Sequence, residues 1–258
     1  MNTKYQIVKS ERLNIDTFLL TIEAESIAKK SKPGQIVTIK CGDGTDAFLR
    51  RPISICSVDR EKGTINIVIQ IRGKGTKILS YLKEGDEIDI LGPLGQGFTM
   101  NPKHKKIIVV GGGIGIFPLL QLLKEHPAES KKAILGFRNK SLVILEDEFK
   151  ENCNELLIAT DDGSYGEKGF VTDILKREVE KEHPDLVFFC GPIVMMKAGV
   201  NLLKQYDIPC EVSMEQRMGC GIGACLVCVC KTKKGDDWNY TQVCKSGPVF
   251  SGDEVIFD

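Results

Sequence analysis

Apolar and β-branched residues in the first part of the chain come in short runs, at 18–22, 35–39, 53–58 and 64–69. Turn-forming pairs such as Pro33-Gly34 and Lys62-Gly63 part them. In the last run Ile65, Ile67 and Ile69 alternate strictly, the period of a strand with one buried face. A short helical stretch at 76–82 precedes the turn Lys83-Glu84-Gly85-Asp86, and a glycine-rich passage at 91–98 closes the region. Many short strands with tight turns predict an antiparallel β-barrel over residues 1–100. Beyond Asn101-Pro102 the period changes. Fully apolar runs at 107–110, 133–135, 156–159 and 186–189 alternate with helical segments at 114–125, 171–181 and 193–205. The second helix keeps Val171, Ile174, Leu175 and Val179 on one face. Continuous hydrophobic strands with helical crossovers predict a Rossmann-like parallel α/β sheet over residues 101–210. Residues 211–258 form a third, small domain, too short for a large core, where a metal staple would supply stability.

Composition narrows the function classes. Apolar residues make up 42% and charged residues 27% of the 258, which describes a folded chain and excludes disorder, collagen and coiled coil as the main architecture. Lys+Arg and Asp+Glu both number 35, so there is no net field to gather polyanions, and nucleic acid is not expected as a partner. The longest apolar run, 107–120, is broken by four glycines and a proline, so no membrane span is expected. The opening residues carry no apolar segment that could act as a signal, which predicts an intracellular, cytoplasmic protein. Ten cysteines occur, and five of them lie between 220 and 244. Among reducing thiols a disulfide framework is improbable, and clustered cysteines more often hold a metal.

The motif Cys220-Gly-Ile-Gly-Ala-Cys225-Leu-Val-Cys228, followed by Cys244, has the C-x4-C-x2-C…C ligand spacing of a plant-type [2Fe–2S] cluster. Converging thiolates demand a tightly wound loop, and Gly221 and Gly223 allow it. A structural zinc site or a set of buried thiols is the alternative; zinc more often uses paired short knuckles. Cys230 lies outside the pattern and reads as packing, and Cys41, Cys56, Cys153 and Cys210 read as small core residues. At Gly111-Gly112-Gly113-Ile114-Gly115 a strand runs into a glycine turn and a helix start, where backbone can approach a pyrophosphate. A plain strand–helix turn is the alternative, since Ile116 holds the third glycine position and no ribose-binding acid is evident near Arg138. Cys190-Gly191-Pro192 stands at the end of another apolar strand, where ligands of open α/β sheets bind. In the barrel, Arg51-Pro52-Ile53-Ser54 offers an arginine on a strand, and Gly75-Thr76 a glycine turn opening a helix; each could meet one side of a diphosphate. No acid–base catalyst stands out, and His104, His126 and His183 read as surface residues.

Together these residues resemble the ferredoxin reductase superfamily. Arg51-Pro52-x-Ser54 resembles its FAD-binding strand and Gly75-Thr76 its flavin diphosphate turn, while Gly111 to Pro118 and Cys190-Gly191-Pro192 resemble its NAD(P)-binding elements. The tail, with Glu215-Gln-Arg-Met-Gly-Cys220 and Cys244-Lys-Ser-Gly-Pro-Val-Phe250, resembles the electron transfer subunits of class 1B dihydroorotate dehydrogenase. That resemblance covers nearly the whole chain. It implies FAD at Arg51, Pro52, Ile53, Ser54, Val68, Ile69, Gln70, Gly75 and Thr76, and NAD at Gly111, Gly113, Gly115, Cys190 and Gly191. It also implies a [2Fe–2S] cluster on Cys220, Cys225, Cys228 and Cys244. The family's Tyr-Arg pair before the diphosphate turn is replaced here by Ile69-Gln70, which leaves backbone contact at that place. The implied partner is an FMN-containing catalytic subunit that oxidises dihydroorotate, in a heterotetramer with two copies of each chain, with electrons reaching NAD+ through cluster and FAD. A related subunit of a sulfide dehydrogenase or of an NADH-dependent ferredoxin–NADP oxidoreductase is the alternative within the superfamily, and a zinc-stapled binding module the alternative outside it. The ferredoxin–NADP relative often uses an aspartate among its cluster ligands, where Cys220 stands here.

Overall fold

Alternation of large β-branched residues closes the first part into a barrel. A computed structural model describes residues 3–42 and 44–257; Met1, Asn2, Asp43 and Asp258 lie outside the described residues. The barrel strands are β1 (Lys4–Arg12), β2 (Thr17–Glu23), β3 (Ile36–Ile39), β4 (Arg51–Asp59), β5 (Thr64–Gln70) and β6 (Glu87–Leu94). They pair antiparallel in the order β1-β2-β5-β4-β3-β6, and β1 meets β6 to complete the ring. Two short helices intervene, α1 (Glu25–Ala28) after β2 and α2 (Lys74–Leu79) after β5. Ile65, Ile67 and Ile69 point inward with Leu20, Ile22, Val37, Ile39 and Ile55, so the predicted alternation is the barrel core. The outward positions are covered too: Ile36 on β3 joins a core that contains Cys228 and Cys244, and Val68 on β5 joins one that contains Phe117 and Phe188.

The second part is a parallel sheet. Its strands are β7 (Lys106–Gly112), β8 (Ser130–Phe137), β9 (Glu155–Thr160), β10 (Glu167–Lys168), β11 (Leu186–Cys190) and β12 (Cys210–Ser213). Helices α3 (Phe117–Glu125), α4 (Glu146–Asn152), α5 (Val171–Lys181) and α6 (Ile193–Lys204) cross over between them. The predicted helix at 114–125 starts as a single 3-10 turn, Gly113–Ile116, before the α-helix takes over at Phe117. The last part adds a small sheet of β13 (Val229–Lys234), β14 (Asp237–Gln242) and β16 (Val255–Ile256). Its remaining strand, β15 (Val249–Ser251), pairs antiparallel with β12 and so becomes the edge of the large sheet, whose order is β10-β9-β8-β7-β11-β12-β15. The cysteine-bearing segment is therefore tied to the α/β sheet by backbone hydrogen bonds. No helix among the described residues is long and apolar enough to cross a membrane.

Barrel and sheet are clamped through β4. The buried Gln121 of α3 accepts from the Val58 amide at 2.6 Å. Arg60, just beyond β4, pairs with Glu125 of α3 and donates to the Ser31 carbonyl at 2.9 Å. One expectation is corrected here: His126 is buried, not a surface residue. Its ring packs edge-on against Phe188, its Nδ1 accepts from the Ala128 amide, and burial pulls its pKa down to about 4. The Pro127 that follows in sequence suggested a surface turn, but the turn folds the imidazole under the sheet. His183 is exposed as expected, and His104 is half-buried.

Candidate functional site

The barrel site is built at the start of β4 and the turn before α2. Arg50 and Arg51 divide the work. Arg50 is half-buried and committed to structure, with a 2.8 Å ion pair to Asp89 and a bond to the Asp89 carbonyl at 3.1 Å. Arg51 instead lies against Gly75; a methyl at that glycine would stand 2.7 Å from its Nε and 2.9 Å from its Cζ. Thr76 locks the turn, since its hydroxyl accepts from the Arg72 amide at 2.9 Å and the Gly73 amide at 3.2 Å. A guanidinium held over a helix start with no side chain between them is the donor set a diphosphate needs. Pro52, Ile53 and Ser54 follow on β4 and are all half-buried. Ile69 is different: its side chain is in the barrel core, so only its backbone faces outward. Gln70 points outward, donates to Asp16 at 2.8 Å, and leaves a buried Oε1 without a hydrogen-bond partner among the described residues.

The second site lies at the carboxyl ends of β7 and β11, where two glycine loops interlock. Gly115 packs on the backbone of β11's end: a methyl there would be 2.4 Å from the Cys190 carbonyl oxygen and 2.6 Å from the Gly191 Cα. Gly112 and Gly191 both press on Met195 in the first turn of α6. Gly113 alone of this turn's glycines has open space where a side chain would be. Thus the glycines serve first to dock one loop on the other, and the docked pair presents backbone at the strand ends. Burial pushes the Cys190 thiol up to about 12, and the neighbouring Ser213 at the end of β12 offsets part of that rise. Cys190 and Ser213 are register partners. Ser213 was not evident from sequence; the signal would have been recognising residues 210–213 as a parallel strand beside β11.

The four motif cysteines come together where the loop between β12 and β13, which carries Cys220, Cys225 and Cys228, meets the turn after β14, which carries Cys244. They do so as two pairs: Cys225 lies beside Cys220 and Cys244 beside Cys228, each close enough to bear on its neighbour's acidity. Among the described residues no three His, Cys, Asp or Glu side chains converge on a single ion position. Two adjoining pairs suit two metal atoms, each taking two thiolates, better than one tetrahedral zinc. The loop winds through positive φ at Gly221 (74°) and Gly223 (83°), which aims the amides of Ile222, Ala224 and Cys225 at the Cys220 sulfur, at 3.4, 3.2 and 3.4 Å. Those amide bonds, Ile222's foremost, pull the Cys220 thiol down to about 6, and the Cys244 amide donates to the Cys228 sulfur at 3.4 Å. The residues therefore fit a dinuclear thiolate-bound cluster on donor set, pairing and amide orientation. Cys228 and Cys244 are buried, whereas Cys225 is exposed and flanked by exposed Ile222, Leu226 and Val227. Cys230 is buried in β13 with its thiol toward the Thr241 carbonyl, a packing residue.

The two barrel-side sites adjoin. Thr38 of β3 is opposite Pro52 of β4, and the cluster loop's Gly221 rests on Thr38, where a methyl would be 2.7 Å from the Thr38 Cγ2. Thr38 was not singled out in the sequence, because nothing local marks it.

Comparisons with known proteins agree with this division. Residues 4–98 match the family model "Oxidoreductase FAD-binding domain", residues 109–200 "Oxidoreductase NAD-binding domain", and residues 215–256 "Iron-sulfur cluster binding domain of dihydroorotate dehydrogenase B". The chain is 44% identical over 246 residues to the "Dihydroorotate dehydrogenase B (NAD(+)), electron transfer subunit" of Fusobacterium nucleatum, with 93% of each chain covered. It is 41% identical to the protein of the same name from Desulforamulus reducens, with 94% of each covered. Among solved structures it is similar to an NADH-dependent reduced ferredoxin–NADP oxidoreductase, with a TM-score of 0.86, 33% identity, and 98% of this chain and 90% of that one covered. The cytochrome b5 reductase domain of Ulva prolifera nitrate reductase, with a TM-score of 0.66, 18% identity, and 81% of this chain and 94% of that one covered, shares the fold.

Proposed function

The chain belongs to the family of dihydroorotate dehydrogenase B electron transfer subunits, and on that premise we propose that it carries electrons between NAD and a catalytic subunit that oxidises dihydroorotate to orotate. FAD, when bound, would exchange one hydride, an electron pair, with the nicotinamide, and a [2Fe–2S] cluster would pass those electrons one at a time. The protein's own residues supply position. Arg51 and the Gly75-Thr76 turn hold the flavin diphosphate, with Pro52, Ile53, Ser54 and the backbone of Val68, Ile69 and Gln70 as the wall beside its ring. The docked loops at Gly111, Gly113, Gly115, Cys190 and Gly191 receive the dinucleotide, and Cys220, Cys225, Cys228 and Cys244 hold the cluster. Functional units at 1–100, 101–210 and 211–258 follow from this, with β15 reaching back to the sheet.

The observation that carries the reading is the contact of Gly221 with Thr38, opposite Pro52. That contact supports a cluster held by this loop beside the strand that we assign to the flavin. The other side of the same loop exposes Ile222, Leu226 and Val227 around Cys225. Electrons from the partner thus enter at an apolar rim and pass by way of the cluster to the flavin wall, and we assign that rim to the FMN-containing catalytic subunit, in a cytoplasmic heterotetramer of two copies of each chain. The test is co-purification with the cognate catalytic subunit, followed by an assay of NAD+-linked dihydroorotate oxidation. The expected result is NAD+ reduction that needs both chains, with a complex mass equal to two of each. Absence of that activity with both chains folded and loaded overturns the assignment. The 33% identity to a ferredoxin–NADP oxidoreductase supports a second reading. NADH-linked ferredoxin–NADP turnover in place of dihydroorotate oxidation would select it.

A further inference from the structure

Strand β3 has two faces with different duties. Val37 and Ile39 point into the barrel, while Ile36 and Thr38 point out toward the cluster segment. Ile36 meets this segment as expected, packing in the core that contains Cys228, Cys244 and Val243. Thr38 does not behave as an apolar packing residue. It is only 2% exposed, and its Oγ1 is buried without a hydrogen-bond partner among the described residues. A buried hydroxyl left unpaired is destabilising, and valine would fill the same volume without that cost. Its neighbours on the sheet are Pro52, which has no amide hydrogen, and Leu91, which is apolar. Above it lies the buried Gly221, close enough that a methyl there would be 2.7 Å from the Thr38 Cγ2. The residue before Gly221 is the cluster ligand Cys220, whose sulfur already collects three backbone amides.

We propose that Thr38 is a positioning residue for the cluster: its hydroxyl donates a hydrogen bond to a sulfur of the bound [2Fe–2S] group, seating the loop on the barrel and raising the cluster's reduction potential. The physical basis is general. Reduction adds negative charge that the sulfurs share, and a donor pointed at them stabilises the reduced form more than the oxidised one. The position also matters for transfer, since Thr38 stands on the strand between the cluster loop and the flavin-wall residue Pro52. The inference rests on the chain holding a [2Fe–2S] cluster and is independent of which partner or acceptor it serves.

The test uses the full chain, loaded with FAD and cluster under anaerobic conditions, as wild type, Thr38→Val and Thr38→Ser. Iron, sulfide and flavin contents are measured first, and the cluster potential is then read by an EPR-monitored redox titration. Thr38→Val is expected to lower the cluster potential so that, at the wild-type midpoint, the reduced-to-oxidised ratio falls about tenfold, which is about 59 mV for one electron. Thr38→Ser is expected to keep the wild-type value. If Thr38→Val loses the cluster while Thr38→Ser retains it, the hydroxyl is again what matters, and the proposal stands. Equal potentials in all three chains overturn it. So does loss of the cluster in both variants, or a shift confined to the flavin potential, which would give the hydroxyl to FAD. A wild-type chain without the cluster's EPR signal would instead overturn the cofactor reading, and the Thr38 assignment with it.

Discussion

Gly115 offers the sharpest test of how the dinucleotide site is built. Replacing it with alanine places a methyl 2.4 Å from the Cys190 carbonyl oxygen, 2.5 Å from its carbon and 2.6 Å from the Gly191 Cα. All three are backbone atoms of the opposing loop, so no side chain can swing away. Restoring ordinary van der Waals contact requires the loops to part by about 1 Å, and overpacking of this kind costs about 1–3 kcal/mol. The same displacement moves the strand ends that position the nicotinamide, and a misplacement of about 1 Å can lower a positioned reaction about 100-fold. The measurement is NADH oxidation by the FAD-loaded chain with an artificial one-electron acceptor, alongside Tm and bound flavin. Gly115→Ala should lower both Tm and kcat/KM for NADH while flavin content stays at the wild-type level, because Arg51 and Gly75 lie elsewhere. Gly113→Ala is the contrast: the added methyl meets nothing within the protein, and its cost is the strain of alanine at φ 55°, so it should raise KM for NADH with a smaller loss of kcat/KM than Gly115→Ala. An unchanged kcat/KM in Gly115→Ala would refute the argument that interlocked backbone, and not glycine flexibility, shapes this site.

Three further outcomes follow from the geometry. Arg51→Ala removes the guanidinium above the α2 turn, and losing a charged hydrogen-bonding group costs about 1.5–3 kcal/mol, so FAD should bind roughly ten- to a hundredfold more weakly by fluorescence titration. Cys244→Ala should abolish the cluster's visible absorbance and iron content, whereas Cys230→Ala should keep both, since Cys230 faces the Thr241 carbonyl. Glu178 of α5 predicts acid sensitivity: burial alone would raise its pKa, but hydrogen bonds from Lys132, Lys181 and Arg177 outweigh that and hold it at about 2, below its ordinary 4.5. A depressed carboxylate contributes stability above its unfolded pKa and loses it on acidification, so urea midpoints should fall as pH drops from 4.5 toward 2. Glu178→Gln should flatten that part of the profile; an unchanged slope would show that this carboxylate is not coupled to folding.

The parts of this protein legible from sequence are those whose physics is local. Strict alternation of Ile65, Ile67 and Ile69 needs no distant residue to declare a strand with one buried face, and all three line the barrel. The helical period of Val171, Ile174, Leu175 and Val179 gives α5 to the residue. The cysteine loop is equally local: three of the four motif cysteines stand on one short segment, and its two glycines take the positive φ that the winding needs. What the sequence cannot state is which surfaces are covered. The Pro-flanked His126 reads as a surface turn until the sheet folds over it and Phe188 packs on its ring. Gly115 reads as one glycine of a strand–helix turn, and only the fold brings the Cys190 backbone against it. β15 looks like part of a separate small domain until it pairs with β12, and Ser213 gains its place beside Cys190 only through parallel register. Thr38 is an ordinary strand residue in every local respect; only the arrival of Gly221, from the far end of the chain, buries its hydroxyl. Period and spacing act between neighbours along the chain, whereas burial and the loss of hydrogen-bond partners are imposed by whatever the fold lays on top.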